Sequence, residues 1–382
     1  MRSVGLDLAM GELAYCEVSG EQVTRRTVRG LEPLREWLGP EQAPAVVAIE
    51  ACREAWHVHD VLTSWNNKVL LVDTTRIKQT GVGQHGRKND RLDAEALARA
   101  VEQGRVPLAH VLSPARREIR KKLQVRATLL KCASELIIQI RGMAREQGER
   151  IAKCESNHFV AQVQRAALSE STRALVAPLL SALTAVQQQF ATIDQEIEAL
   201  YQKEPVVERL MTAPGVGLIV ALAFVSVIDE AKRFHSAHQV ESYLGLVPRE
   251  SSSGGRDKQR LGAITKQGNS MMRALLVQAA WAVLRQNGDD PLKRWAQHVA
   301  KRRPKNVAVI ALARRLAGLL WAIWRDGSVY EPTLLSQAMS RGQRLKALDA
   351  ERTASALERA AIKLRERRAR RPKLSQEVAH SA

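Results

Sequence analysis

Four carboxylates in this chain stand where their neighbours are apolar or basic. Asp7 interrupts the apolar segment GLDLA (5–9), and in an extended strand its side chain faces away from those of Leu6 and Leu8. Glu50 closes the run AVVAIE (45–50), which reads as a buried strand. Asp90 and Asp93 lie three residues apart in GRKNDRLDAEALA (86–98). A helix starting near Asn89 holds both on one face, about one turn apart. An acid at the end of an apolar strand is costly unless it meets a partner or a cation, and four converging carboxylates repel one another. Divalent cations with oxygen ligands relieve that repulsion. Two of them about 4 Å apart polarise a phosphodiester and stabilise its entering and leaving oxygens. Taken singly, each acid has a plainer reading: Asp93 as a first-turn acid suited to the helix dipole, Glu50 as a solvated strand end.

A second set of residues suggests different chemistry. In LVPRESSSGGRDKQRLG (246–262) three serines precede two glycines among Arg249, Arg256, Lys258 and Arg260, with Lys266 a little beyond. A serine hydroxyl attacks phosphorus only when its proton is removed and the charge developing on the phosphate is neutralised. Guanidinium groups suit the second task. By composition alone the stretch reads first as a basic loop on a nucleic-acid backbone, its serines merely lining it. In LMTAPGVGLIVALAFV (210–225) the turn containing Gly215 and Gly217 looks like that of a helix-hairpin-helix. Its backbone N–H groups either meet a phosphate or only form a tight turn.

The elements that must hold these groups follow from periodicity. Strands are expected over 3–9, 13–19, 22–28, 43–51 and 68–73, with helices around 31–38, 52–67 and 90–103. This β-β-β-α-β-α-β-α order predicts a ribonuclease-H-like (RuvC-like) mixed sheet with helices on its faces. From Pro114 the strand signals stop. Two long amphipathic helices, broken near REQGERIAKCESNHF (145–159), predict an antiparallel coiled-coil hairpin that serves as a spacer or dimerisation arm. Helices are expected again at 267–288, 291–302 and 304–325, and 246–262 is expected to be a loop. The fold class is therefore α/β plus all-α. Its expected parts are an acidic domain over 1–112, coiled-coil helices over 113–203, a helical domain over 204–332 and a basic tail over 333–382.

With 59 Lys and Arg against 40 Asp and Glu, the 382-residue chain carries a formal charge of +19. That excess points to a polyanion. A membrane surface fits less well: the run Ala213–Ile228 is short for a span, opens with Pro and Gly, and is followed by Asp229 and Glu230. The N-terminus has too short an apolar core for a signal peptide. Cys16, Cys52, Cys132 and Cys154 have neither zinc nor disulfide spacing, so a cytoplasmic protein with reduced thiols is expected. The segment KLRERRARRPK (363–373) makes the tail strongly basic.

GLDLA, IEAC, KNDRLDAEA, APGVG, LGLVPRESSSGG, RLGAITKQGN and RRPKNVAVIALARRLAGLLWAIWRDGSVY occur in that order over about residues 3–332. The set resembles the DEDD-type transposases of bacterial insertion sequences, the family of bridge-RNA-guided serine recombinases, in the spelling of its eleven-eleven branch. The resemblance implies a RuvC-like domain binding Mg²⁺, with Mn²⁺ able to stand in, through Asp7, Glu50, Asp90 and Asp93. It also implies a C-terminal transposase domain whose nucleophile is Ser253, with Ser252 the fallback in a run of three. The implied partners are donor and target DNA, a structured non-coding guide (bridge) RNA, and further copies of the chain, from dimer to tetramer, acting across protomers. One departure is Met10, where the family often has Lys, so that position cannot offer a cation to a phosphate. Two rivals remain: a RuvC-like nuclease that uses water and no serine, and a non-catalytic nucleic-acid scaffold.

Overall fold

Alternating side chains build the first sheet. β1 (Arg2–Ala9), β2 (Glu12–Ser19) and β3 (Gln22–Val28) form an antiparallel meander, and β4 (Ala45–Glu50) and β5 (Lys68–Val72) add parallel to β1. The spatial order is β3-β2-β1-β4-β5, a mixed sheet with β1 and β4 as neighbours. β3 is an exposed edge whose Arg25 and Arg26 discourage pairing with another strand. The structure is a computed structural model describing residues 2–9, 11–74, 76–80, 90–202, 204–251 and 260–333. The chain divides into two compact units, Met1–Ser113 and Pro114–Ala382.

The two faces of the sheet bury different side chains. Val4, Leu6, Tyr15, Val47, Ile49 and Leu71 pack with the short helix α1 (Arg35–Leu38) and with α2 (Ala55–Ser64). On the opposite face lies α3 (Asp90–Glu102), set against Ala14, Cys16 and Val18 through Ala94 and Ala98, and against Ala48 and Val72 through Leu97. Small residues on both surfaces let this helix sit close. A Cβ added at Gly5 would come within 2.0 Å of the Ala94 carbonyl oxygen.

The second unit begins with α4 (Pro114–Glu146), which runs antiparallel to α6 (Glu170–Tyr201). Arg116 pairs with Glu204, Lys122 with Glu196 and Arg126 with Asp194, so rising numbers on one side meet falling numbers on the other. Toward the hairpin tip, Ala133, Ile140 and Ala144 pack with Val176, Leu183 and the short α5 (Phe159–Arg165). At the base, Ile119, Leu123, Ile193 and Ile197 join the core of the helices that follow. These are α7 (Pro205–Met211), α8 (Leu218–Ile228), α9 (Ala237–Tyr243), α10 (Ser270–Arg285), α11 (Pro291–Ala300) and α12 (Lys305–Asp326). α8 is apolar all round because it is buried all round, from Val220 to Ile228. Two helices, α6 and α12, are long and apolar enough to cross a membrane by length and composition. α12 instead supplies Leu312, Leu316, Leu320 and Trp321 to the core.

The stretch 246–262 is not one continuous loop. β6 (Pro248–Ser251) and β7 (Arg260–Ile264) pair antiparallel, with Ser251 opposite Arg260 and a register shift between Pro248 and Glu250. Serine, glycine and arginine give no two-residue alternation, so the sequence hides both strands. Ladder bonds across the hairpin supply what propensity does not.

Candidate active site

β-Sheet register and helix direction decide where the four acids stand. β1 and β4 pair in parallel up to Leu6 opposite Ile49, so Asp7 and Glu50 are the next residues on adjacent strands, which run about 4.8 Å apart. Gly5 faces α3 and Ala48 packs on Leu97. Asp7 and Glu50, two residues further along their strands, therefore lie on that same face.

α3 runs antiparallel to β1, and its contacts with β3 and the turn before β3 record the direction. Arg91 Nε donates to Thr27 Oγ1 at 3.3 Å, Arg25 Nε donates to Glu95 Oε2 at 3.0 Å, and the Gly20 amide donates to Glu102 Oε1 at 2.7 Å. Thr27 is level with Ala14, and Ala14 is level with Asp7. The first turn of α3 thus stands at the level of Asp7 and Glu50. Within that turn Arg91 and Leu92 are exposed, whereas Asp90 and Asp93 are half-buried. Asp90 precedes Ala94 by four residues and Asp93 precedes Leu97 by four, so the two acids extend the sheet-facing stripe of the helix. The structure brings Asp7, Glu50, Asp90 and Asp93 to one end of one sheet face.

All four offer carboxylate oxygens, the donor set of a hard divalent cation. Among the described residues no group of three or more His, Cys, Asp or Glu side chains is gathered at ligand spacing. In residue type and level the set fits a divalent ion.

The serine set is only partly visible. Ser252, Ser253, Arg256 and Lys258 lie outside the described residues, as does the side chain of Arg260, whose backbone opens β7. Arg249 is exposed on β6 and donates to the Thr265 carbonyl at 3.4 Å. Lys266 is exposed in a left-handed backbone conformation (φ 58°), its amide donating to the Gly245 carbonyl at 3.1 Å. That turn is fixed by two close approaches: a Cβ at Gly245 would meet the Gln267 oxygen at 1.9 Å, and one at Gly268 the Tyr243 oxygen at 2.2 Å.

Gly215 and Gly217 behave differently from each other. Gly215 has φ 74° and its Cβ would strike the Ala279 carbonyl oxygen at 2.4 Å, so packing on α10 requires glycine there. Gly217 is exposed at the N-cap of α8, with nothing within 4 Å of an added Cβ. Sequence reasoning passed over the anchors of α3 (Gly5, Arg25, Arg91 and Glu95), and the glycine two residues before Asp7 was the one available signal.

Two family profiles and several relatives match the chain. A profile described as Transposase IS116/IS110/IS902 family matches residues 207–296, and a transposase profile of the DEDD, IS110 type matches residues 4–147. The first span contains the serine-rich stretch and the second contains all four acids. A probable family 20 transposase of Pseudomonas aeruginosa is 30% identical over 339 residues, 86% of this chain and 98% of that protein. The transposase for insertion sequence element IS1111A of Coxiella burnetii is 28% identical, covering 86% and 91%. The transposase for element IS1328 of Yersinia enterocolitica is 27% identical, covering 86% and 98%. These matches define a DNA-processing transposase with a DEDD domain, a type associated with divalent metal. The chain is a member of the IS116/IS110/IS902 family of insertion-sequence transposases.

Proposed function

We propose that the chain excises and inserts its element by RNA-guided strand exchange through a covalent serine–DNA intermediate. The observation that supports this reading is that Asp7, Glu50, Asp90 and Asp93 stand at the same level on the α3 face of the sheet. The first unit acts as a RuvC-like domain whose four acids hold Mg²⁺, or Mn²⁺ in its place. The bound cation supplies charge neutralisation to a scissile phosphodiester.

Ser253, with Ser252 the alternative in the same run, is the nucleophile. Its hydroxyl oxygen bonds to phosphorus as a deoxyribose oxygen departs with the proton. The strand is then joined to the protein until a second strand's hydroxyl reverses the step. Arg249, Arg256, Lys258, Arg260 and Lys266 balance phosphate charge, and Gly217 and Gly215 bring backbone amides to nucleic acid. A guide RNA pairs with donor and target DNA, so the protein reads duplex backbone and shape rather than sequence; the charge of +19 supports this. Copies of the chain assemble as a dimer or tetramer in which the acids of one protomer serve the serine of another.

The test uses element-end DNA, the copurifying RNA and Mg²⁺. Wild type is expected to give a protein–DNA adduct on a denaturing gel and to recombine. Ser253→Ala and Asp7→Ala should each reduce recombination by at least about 10³-fold, the scale on which nucleophile loss acts, while RNA binding survives. Cleavage retained in Ser253→Ala without any adduct would establish the water-dependent nuclease instead. Metal-independent binding with no cleavage by wild type would leave a scaffold.

A further inference from the structure

α12 starts in an unusual electrostatic setting. The turn between α11 and α12 reads Lys301-Arg302-Arg303-Pro304-Lys305, four cations in five residues, all exposed. Nearby arginines on the same helices are paired: Arg294 with Asp289, Arg314 with Glu241, and Arg325 with Asp326. Among the described residues none of the four turn cations has a carboxylate within ion-pair distance. Lys305 rests its ammonium 5.2 Å from the centre of the Trp281 ring.

Local structure accounts for only part of this cluster. Lys301 follows the last turn of α11, where the negative end of the dipole favours a cation. Lys305 is the first residue of a 22-residue helix, where the positive end disfavours one. Three neighbouring helices start on side-chain caps, Ser236 for α9, Asn269 for α10 and Asp290 for α11, whereas α7 and α8 do not. α12 starts on Pro304, with no side-chain cap and no acid in its first turn. The amides of Lys305 and Asn306 therefore point outward without a helical acceptor. Cations, a positive helix end and open amides repel each other until an anion arrives.

We propose that the Lys301–Lys305 turn is a second nucleic-acid contact surface, binding the phosphate backbone of DNA or RNA without reading bases. It rests on the reading of this chain as a nucleic-acid recombinase and is separate from the serine stretch. Trp281 lies twelve residues along α10 from its cap Asn269, about 18 Å at 1.5 Å per residue. It stands at the level of Ala279 and Val283, the residues against which Gly215 packs. The basic turn and the Gly215 turn thus flank the same stretch of α10. Ala308, Val309 and Leu312, in the first two turns of α12, are buried in the core.

Two full-length variants test this by fluorescence anisotropy in EDTA, with a labelled duplex of about 24 base pairs and a labelled RNA hairpin as separate probes. In the first, Arg302, Arg303 and Lys305 are replaced by alanine. Its plot of log affinity against log salt should be shallower by about two to three, roughly one for each phosphate no longer neutralised. The weakening should be equal for unrelated sequences, and the probe that shows it identifies DNA, RNA or both as the ligand. The second is Asn306→Asp, which supplies the missing first-turn acid. It should raise the melting temperature while weakening binding several-fold, which a structural role for the turn would not produce. A wild-type slope with both probes in the triple variant, or tighter binding by Asn306→Asp, would overturn the proposal. Asp7→Ala should keep the wild-type slope while losing strand exchange, so the two readings fail separately.

Discussion

Gly5 sets how near α3 can come to the sheet, and through it where Asp90 and Asp93 stand. With the Ala94 oxygen 2.0 Å from an added Cβ and the Ala98 nitrogen at 2.6 Å, both of them backbone, no side chain can swing aside. Gly5→Ala should cost roughly 1–3 kcal/mol, as overpacking does, and should cut activity by lifting α3 away from Asp7. Chemical denaturation and a recombination assay check both. Cys16, fully buried beside α3, is a second reporter of the same packing. Burial, then the Glu95 charge, pushes its thiol up to about 11. In wild type at about pH 8, exposed Cys52 should label first with a thiol reagent and Cys16 last; in Gly5→Ala, peptide mass spectrometry should find Cys16 labelled sooner. Glu17 links the far end of the sheet to pH. Its hydrogen bonds from Arg2, at 2.6 and 2.8 Å, hold its carboxyl below the usual range, with burial opposing. A depressed carboxyl stabilises the fold above the unfolded value of about 4.3 and loses that contribution as pH falls through the folded value. Glu17→Gln should therefore lower the melting temperature near neutral pH, and the gap to wild type should close in acid below about pH 4.

Elements in the first unit were legible because their periods were clean. Strands expected over 3–9, 13–19, 22–28, 43–51 and 68–73 are found at 2–9, 12–19, 22–28, 45–50 and 68–72, and the helix expected over 90–103 spans 90–102 among the described residues. Leu6 and Leu8 against Asp7, and the unbroken AVVAI run, state which side of each strand is buried. The level of the four acids was only half legible. Strand neighbours follow from topology, but the antiparallel run of α3 depends on Arg91, Glu95 and Glu102 reaching the meander, contacts 64 to 82 residues apart in sequence. β6 and β7 were not legible at all, since PRES and RLGAI lack a period and exist by pairing with each other. The hairpin of α4 and α6 was legible from its three- and four-residue spacing. Its tip holds together through Ile140, fully buried among Phe159, Val176 and Leu183. Ile140→Ala should cost about 2–5 kcal/mol in the hairpin. Hydrogen exchange should show faster opening around 133–183, with the sheet of the first unit unchanged.

At the scale of the whole molecule, the chain carries a formal charge of +19 and, in its first unit, four acids at one end of a sheet face. An excess of positive charge of this size favours binding to nucleic-acid backbones without regard to sequence. The central claim is that Asp7, Glu50, Asp90 and Asp93 act as one cation site. Mn²⁺ titration of the full-length protein, followed by electron paramagnetic resonance, tests it directly. Wild type should bind the ion in slow exchange, and Asp7→Asn, Glu50→Gln, Asp90→Asn and Asp93→Asn should each weaken it by roughly tenfold or more, with melting temperatures equal to or above that of wild type as repulsion is relieved. Mn²⁺ binding unaltered by any of the four substitutions would contradict the claim.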